Sequence, residues 1–241
     1  MVKEKKVAVV FGGSRGIGFA VSCKLMEEGC FVFVVCSSKN NVEKTKNSFN
    51  ERIGNTQQCC VLFADVRREE EVAVTAKHVT ESYGYVNYLV NCAGIMEPEA
   101  VDSEHEKMEN WDAVMSTNLR GTFLACKYMI PLLKNAQDAH IINISGGLGL
   151  LSGGMVGGTL PAYRISKAAV NALSLNLSEE LKANEIMVNS VDPGWVKTDM
   201  GGSNAPKMAR EVAEEIYQLL LSSFDKGNTG KLYKENIIIG Y

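Results

Sequence analysis

No apolar run in this 241-residue chain is long enough to cross a membrane: the longest, Cys30–Cys36, has seven residues against the ~20 a spanning helix needs. The opening MVKEKK is followed only by the short run Val7–Phe11, so neither insertion nor export is expected. The excess of one charge over the other is small too. A net charge of −3 sets up no field that would gather polyanions, and nucleic acid is not expected as a partner. Prolines number five, and no Pro/Ser-rich linker, charge block or internal repeat divides the chain. The three histidines (His78, His105, His140) are isolated, so no metal site and no His-based triad is expected. Seven cysteines is an odd number with no C-x-x-C, which reads as buried thiols in a reducing cytoplasm.

What is present fits one α/β domain over residues 1–241, since 46% apolar and 22% charged residues are ordinary globular values. Short apolar runs alternate with stretches of helical period, the pattern of repeated β-α units and a doubly wound parallel sheet of about seven strands with helices on both faces. Strands are expected at Lys5–Phe11, Cys30–Cys36, Cys59–Ala64, Val86–Asn91, Ala139–Ser145 and Ile186–Val191, with a last one at Lys231–Tyr233 or Ile237–Ile239. Helices are expected at Gly16–Glu28, Asn41–Arg52, Arg68–Tyr83, Glu106–Lys134, Tyr163–Lys182 and Lys207–Phe224. In the fifth, Ile165, Ala169, Leu173, Leu177 and Leu181 make an apolar stripe that should face the core, with Tyr163 and Lys167 on another face. The glycine-rich Gly146–Gly158 is a candidate mobile loop.

The first strand runs into Gly12-Gly13-Ser14-Arg15-Gly16-Ile17-Gly18 and then a helix, a context in which backbone can approach a pyrophosphate and a helix N-terminus can face it. A fold specific for NAD places an acid at the end of the second strand, but here Ser37, Ser38 and Lys39 follow Cys36 and no acid occurs between Glu28 and Glu43. With Arg15 these supply donors and positive charge for a 2′-phosphate, so NADPH is expected over NADH. Asp65-Val66 and Asn91-Cys92-Ala93-Gly94 end the third and fourth strands; Asp65 is placed to accept from an adenine amino group, Ala93 and Gly94 to lie against a ribose. Tyr163 and Lys167 are spaced i, i+4 on one helix face. At about 4 Å and an effective dielectric near 20, their attraction is roughly 4 kcal/mol, enough to bring a phenol from ~10 toward ~7, where it serves as general acid and base.

Taken together, FGGSRGIG, DV, NCAG, Ser116-Thr117-Asn118-Leu119, AYRISK and DPGWVKT, in this order along nearly the whole chain, resemble the short-chain dehydrogenase/reductase family. Phe11 stands where that family usually has Thr. The resemblance, greatest to carbonyl and ketoacyl reductases, implies a single Rossmann-type domain and NADP(H)-dependent reduction of a carbonyl. It implies Tyr163 as acid, Lys167 as the group that tunes it and holds the nicotinamide ribose, and Asn118 as anchor of a water leading from Lys167 to solvent. Pro193, Gly194, Val196 and Thr198 would face the carboxamide, and a homo-oligomer, dimer or tetramer, built on the two long helices is implied as well.

One position departs from the pattern. The strand that usually ends in the catalytic serine reads Asn143-Ile144-Ser145-Gly146, which puts Gly146 at that serine. Adjacent strand residues point to opposite faces, so three readings stand: a backbone shift re-aims Ser145, which becomes the fourth catalytic residue; Ser152 or Thr159 reaches in; or the protein is a weak or non-catalytic relative that only binds nucleotide. Ile95, Met96, Leu148, Met155, Trp195 and Met200 are expected in the pocket wall, which suits a mainly lipophilic substrate.

Overall fold

A computed structural model describes residues 5–54, 56–152 and 158–241. It contains strands β1 (Val7–Phe11), β2 (Phe31–Cys36), β3 (Cys59–Phe63), β4 (Tyr88–Asn91), β5 (His140–Ile144), β6 (Met187–Val191), β7 (Val196–Lys197), β8 (Lys207–Met208), β9 (Leu232–Lys234) and β10 (Ile237–Ile239). The α-helices are α1 (Gly16–Glu27), α2 (Asn40–Ile53), α3 (Glu69–Ser82), α4 (Met108–Met115), α5 (Gly121–Leu133), α6 (Pro161–Glu180) and α7 (Ala209–Leu220). The main sheet runs β10-β9-β6-β5-β4-β1-β2-β3, parallel except for β10, while β7 and β8 pair separately.

β1 and β2 are apolar at every position because both faces of the sheet are covered. Val9, Phe33, Leu89 and Ile141 point into one hydrophobic cluster, and their neighbours Val10, Val34, Val90 and Ile142 into the other. Each such side chain contributes about 1.5–3 kcal/mol by leaving water.

The sheet has eight strands rather than seven, because both sequence candidates for the last strand are strands. They form a hairpin whose two loop residues, Glu235 and Asn236, have φ of 51° and 60°. Positive φ at both loop positions is the geometry of a type I′ turn, for which Asn-Gly is the usual signal and Glu-Asn a weak one.

Two helices depart from expectation. The single helix expected over Glu106–Lys134 is α4 and α5 joined by a π-helical turn, Ser116–Arg120, with Asn118 at its centre. In α6 the apolar stripe is only partly inward: Leu177 and Leu181 are buried, but Ile165 is 42% exposed. The buried face is instead small and polar, carrying Ser166, Lys167, Asn171, Ser174 and Ser178. A chain of hydrogen bonds explains this. The Asn91 amide donates to Asn143 (2.8 Å), the Asn143 amide to Ser174 (2.9 Å) and the Ser190 hydroxyl to Ser174 (2.8 Å), tying three strands to the helix. The bonds from Asn143 and Ser190 to Ser174 fix how the helix is rotated, since buried polar groups are costly to leave unpaired. Ile165 and Leu175 of α6 and Phe123 of α5 lie exposed on the helices that the resemblance assigns to an oligomer contact.

His140 is 2% exposed and packs edge-on against Tyr88, and burial pushes its imidazole down to about 4. The unfolded chain therefore takes up a proton near 6.5 that the folded chain refuses until about pH 4. Stability is full above that window and falls within it as pH drops, by roughly 3 kcal/mol. The urea midpoint should decline less between about pH 7 and 4.5 in His140→Gln than in the wild type; equal declines would refute the assignment.

Candidate active site

β1 and β4 are neighbours in the sheet although far apart in sequence, and such a switch in strand order opens a crevice at the carboxyl edge. Gly12 makes the crevice possible. Its φ is +77°, and a Cβ there would lie 2.6 Å from the Ala93 amide nitrogen, so only a glycine lets the β1–α1 turn rest against the end of β4. The resulting cleft of about 830 Å³ is lined by Ser14–Gly18, Ser37, Asp65, Val66, Ala93, Gly94, Ser145, Tyr163, Lys167, Pro193, Gly194, Val196 and Thr198. The α1 N-terminus opens into it, with no side-chain cap on its first amides.

Four of the expected residues are not in that lining. The Lys39 ammonium sits over the Phe63 ring, 5.2 Å from its centroid, and Ser38 precedes it at the start of α2. Asn91 is spent on the polar chain to α6. Asn118 is buried and clamps the segment after β4: its oxygen accepts from the Ile95 amide (2.8 Å), and its nitrogen donates to the Ile95 carbonyl (2.9 Å) and the Ser166 hydroxyl (2.9 Å).

The charged groups of the cleft are also arranged differently from expectation. Asp65 is held by Arg67 through paired hydrogen bonds, the shortest 2.6 Å, and the guanidinium keeps its carboxyl below the usual carboxylate range. Arg67 thus joins the cleft wall. The spacing D-x-R carried no clear signal for it. Arg15 pairs with Asp199 at 3.2 Å, but both side chains are more than 70% exposed, so the pair contributes little.

At the other end, α6 presents Tyr163 in its first turn, where the Glu97 carboxylate accepts from the Tyr163 backbone amide (3.0 Å). Lys167, one turn on, donates to the Ile144 carbonyl (2.8 Å) and lies 5.5 Å from the Tyr163 ring centroid. The expected lowering of the phenol is not found. Burial, reinforced by the negative charges of Asp192 and Glu97, pushes Tyr163 up to about 12, while burial brings Lys167 down to about 8. The spacing places both groups on one helix but leaves the ammonium against the ring, and desolvation outweighs the attraction. At neutral pH the phenol therefore keeps its proton.

The serine question has a geometric answer. A Cβ on Gly146 would stand 3.6 Å from the Tyr163 hydroxyl, so position 146 faces the phenol. Ser145 points the other way, its buried hydroxyl donating to the Lys167 carbonyl (3.1 Å), and no backbone shift re-aims it. Ser152 lies against the C-terminus, its amide bonded to the Tyr241 carbonyl (2.8 Å), and Thr159 is exposed, its carbonyl accepting from Arg164. Neither is in the described lining. Of the expected wall, Ile95, Met96, Leu148, Trp195 and Met200 line the cleft, and Met155 falls outside the described residues.

Sequence reading missed Asp192 and Lys234, which also line the cleft. The β6–β9 register pairs Val191 with Tyr233, so Asp192 and Lys234 come next to each other one step beyond. Among the described residues no cluster could hold a metal, and no helix is long and apolar enough to cross a membrane.

A crevice at the switch point, a glycine turn beneath it and a Tyr/Lys pair on the helix beside it define a nucleotide-binding oxidoreductase site. Comparison with known proteins places it: the short chain dehydrogenase family model matches residues 6–209, and the chain belongs to that family. It is 30% identical over 228 residues to a 3-oxoacyl-acyl-carrier-protein reductase of Thermotoga maritima, covering 95% of this chain and 86% of that protein. It is 31% identical to an uncharacterized oxidoreductase of Staphylococcus saprophyticus over 83% of this chain and 82% of the relative. Among solved structures, carbonyl reductase Sniffer of D. melanogaster superposes with a TM-score of 0.87 at 26% identity, covering 98% of this chain and 99% of that one. An NADPH-bound carbonyl reductase from chicken fatty liver shares the fold with a TM-score of 0.87 at 24% identity, over 98% and 99% of the two chains.

Proposed function

We propose that the protein is an NADPH-dependent reductase of carbonyl compounds with a mainly lipophilic body. The observation that carries this reading is the Tyr163/Lys167 pair of α6 at a cleft walled by Ile95, Met96, Leu148, Trp195 and Met200. The glycine turn, with no room for a Cβ at Gly12, and the open α1 N-terminus fit a dinucleotide pyrophosphate. Ser14–Gly18, Ala93, Gly94 and Pro193–Thr198 would hold the cofactor; when bound, it supplies the hydride.

The chain's own groups do the rest. Tyr163 Oη holds the proton that the nascent alkoxide takes, and a phenol near 12 remains a far stronger acid than an alcohol. Lys167, anchored on Ile144, keeps positive charge beside the phenol and so favours the phenolate left after transfer. Asn118 fixes the segment of Ile95 and thereby one wall of the cleft.

Position 146 supports a second reading, a nucleotide-binding relative with little chemistry, since no side-chain hydroxyl occupies the place beside Tyr163. Reduction of any carbonyl compound with a Tyr163-dependent rate separates the two.

The preference for NADPH rests on Ser37 in the lining where an acid would repel a 2′-phosphate, with the cations Arg15 and Arg67 in the same lining. Calorimetry should give NADPH an affinity about ten- to thirtyfold above NADH, one to two kcal/mol, and Ser37→Asp should reverse the order. Equal affinities in the wild type would refute it.

A further inference from the structure

Asp192 is a buried charged group of the cleft with one oxygen unpaired among the described residues. Its side chain is 2% exposed; Oδ1 accepts from the Gly194 amide at 3.0 Å, while Oδ2 has no hydrogen bond among the described residues. The Lys234 ammonium lies 3.5 Å from Oδ2, on a side chain that is 46% exposed. A buried carboxylate oxygen left without a donor is costly, and this one lies in the cleft lining, as does its lysine.

Its surroundings are as telling. A Cβ on Gly147 would come within 3.1 Å of Oδ2, and a Cβ on Gly146 within 3.6 Å of the Tyr163 hydroxyl. Position 146 thus faces the Tyr163 hydroxyl, and the adjacent position 147 faces the carboxylate. The Asp192 charge is also the foremost among the charges that raise the Tyr163 phenol, so the two groups share one local field.

We infer that Asp192, held by Lys234, is a specificity-determining residue that accepts a hydrogen bond from a hydroxyl of the substrate next to the carbonyl reduced at Tyr163. The class selected is hydroxyketones and hydroxyaldehydes with an apolar body. Lys234 makes the subsite neutral as a pair, which suits an uncharged hydroxyl; a ketoacid would meet the carboxylate. The inference rests on the reductase reading and adds the substrate class to it.

The test compares α-hydroxyacetophenone with α-methoxyacetophenone, which has a similar polar substituent but no donor. Wild-type kcat/KM with NADPH should favour the hydroxyl compound by about tenfold or more, as expected for a hydrogen bond to a charged acceptor. In Asp192→Ala that ratio should fall toward one. Asp192→Asn keeps an acceptor for the Gly194 amide and guards against a folding defect; its ratio should fall at least about threefold. A wild-type ratio near one, or a ratio unchanged in folded Asp192→Ala and Asp192→Asn, overturns the inference. If neither ketone is reduced, the reductase reading is judged separately, on a wider panel of carbonyl compounds. Calorimetric titration of both compounds into the protein then decides the role of Asp192: a hydroxyl preference lost in Asp192→Ala upholds it, and equal or absent binding overturns it.

Discussion

Tyr163→Phe is expected to lower turnover by about 10² or more while the protein still folds and binds NADPH. The substitution keeps the ring that packs against the Lys167 ammonium and leaves untouched the polar chain that seats α6, so the helix should not move. Only the transferable proton is lost, and a positioned general acid typically accounts for a factor of 10²–10⁴. NADPH affinity should change by no more than the severalfold that one hydrogen bond represents. Single-turnover oxidation of bound NADPH reads the chemical step directly. A variant that keeps most of its rate would show that the proton comes from another group.

Gly146→Ser should raise turnover on a good substrate, by up to ~10²–10³. The backbone at this position is extended, with φ 168° and ψ 154°, so a serine meets no conformational penalty. The nearest group to its Cβ would be the Tyr163 hydroxyl at 3.6 Å, an ordinary contact. The new hydroxyl would stand beside the phenol and donate to the same substrate oxygen, the kind of preorganised donor whose removal elsewhere costs ~2.7–4 kcal/mol. Ser145→Ala, by contrast, removes a hydroxyl turned toward the Lys167 carbonyl and should lower the rate less than about tenfold. Loss of activity in a Gly146→Ser variant that still binds NADPH, together with collapse in Ser145→Ala, would reverse this assignment.

The β-α order was legible because apolar runs such as Val7–Phe11 and Phe31–Cys36 are short, rich in valine and phenylalanine, and alternate with stretches of helical period, as doubly covered strands do. The terminal hairpin was only half legible, since its Glu235-Asn236 turn lacks the glycine that marks such loops. The rotation of α6 was misread for a physical reason. Periodicity assumes that apolar residues face inward, whereas this helix is seated by Ser174 against Asn143 and Ser190, and polar burial of that kind leaves no hydropathy signature. Spacing likewise put Tyr163 and Lys167 on one helix but carried no information on burial, which decides the sign of the phenol's shift. The Asp192–Lys234 pair depends on the register of β9 against β6 across some forty residues, a long-range fact that only the folded chain supplies.

On the proposed reading, this cleft passes reducing equivalents from NADPH to a carbonyl carbon. The decay of NADPH absorbance in the presence of a panel of aryl ketones, hydroxyketones, aldehydes, quinones and ketoacyl thioesters, with the alcohol product quantified, tests it most directly. The expected result is decay with at least one apolar carbonyl compound, one alcohol formed per NADPH consumed, and loss of that decay in Tyr163→Phe. Tight NADPH binding with no reduction across the panel, in the wild type and in Gly146→Ser alike, would contradict it.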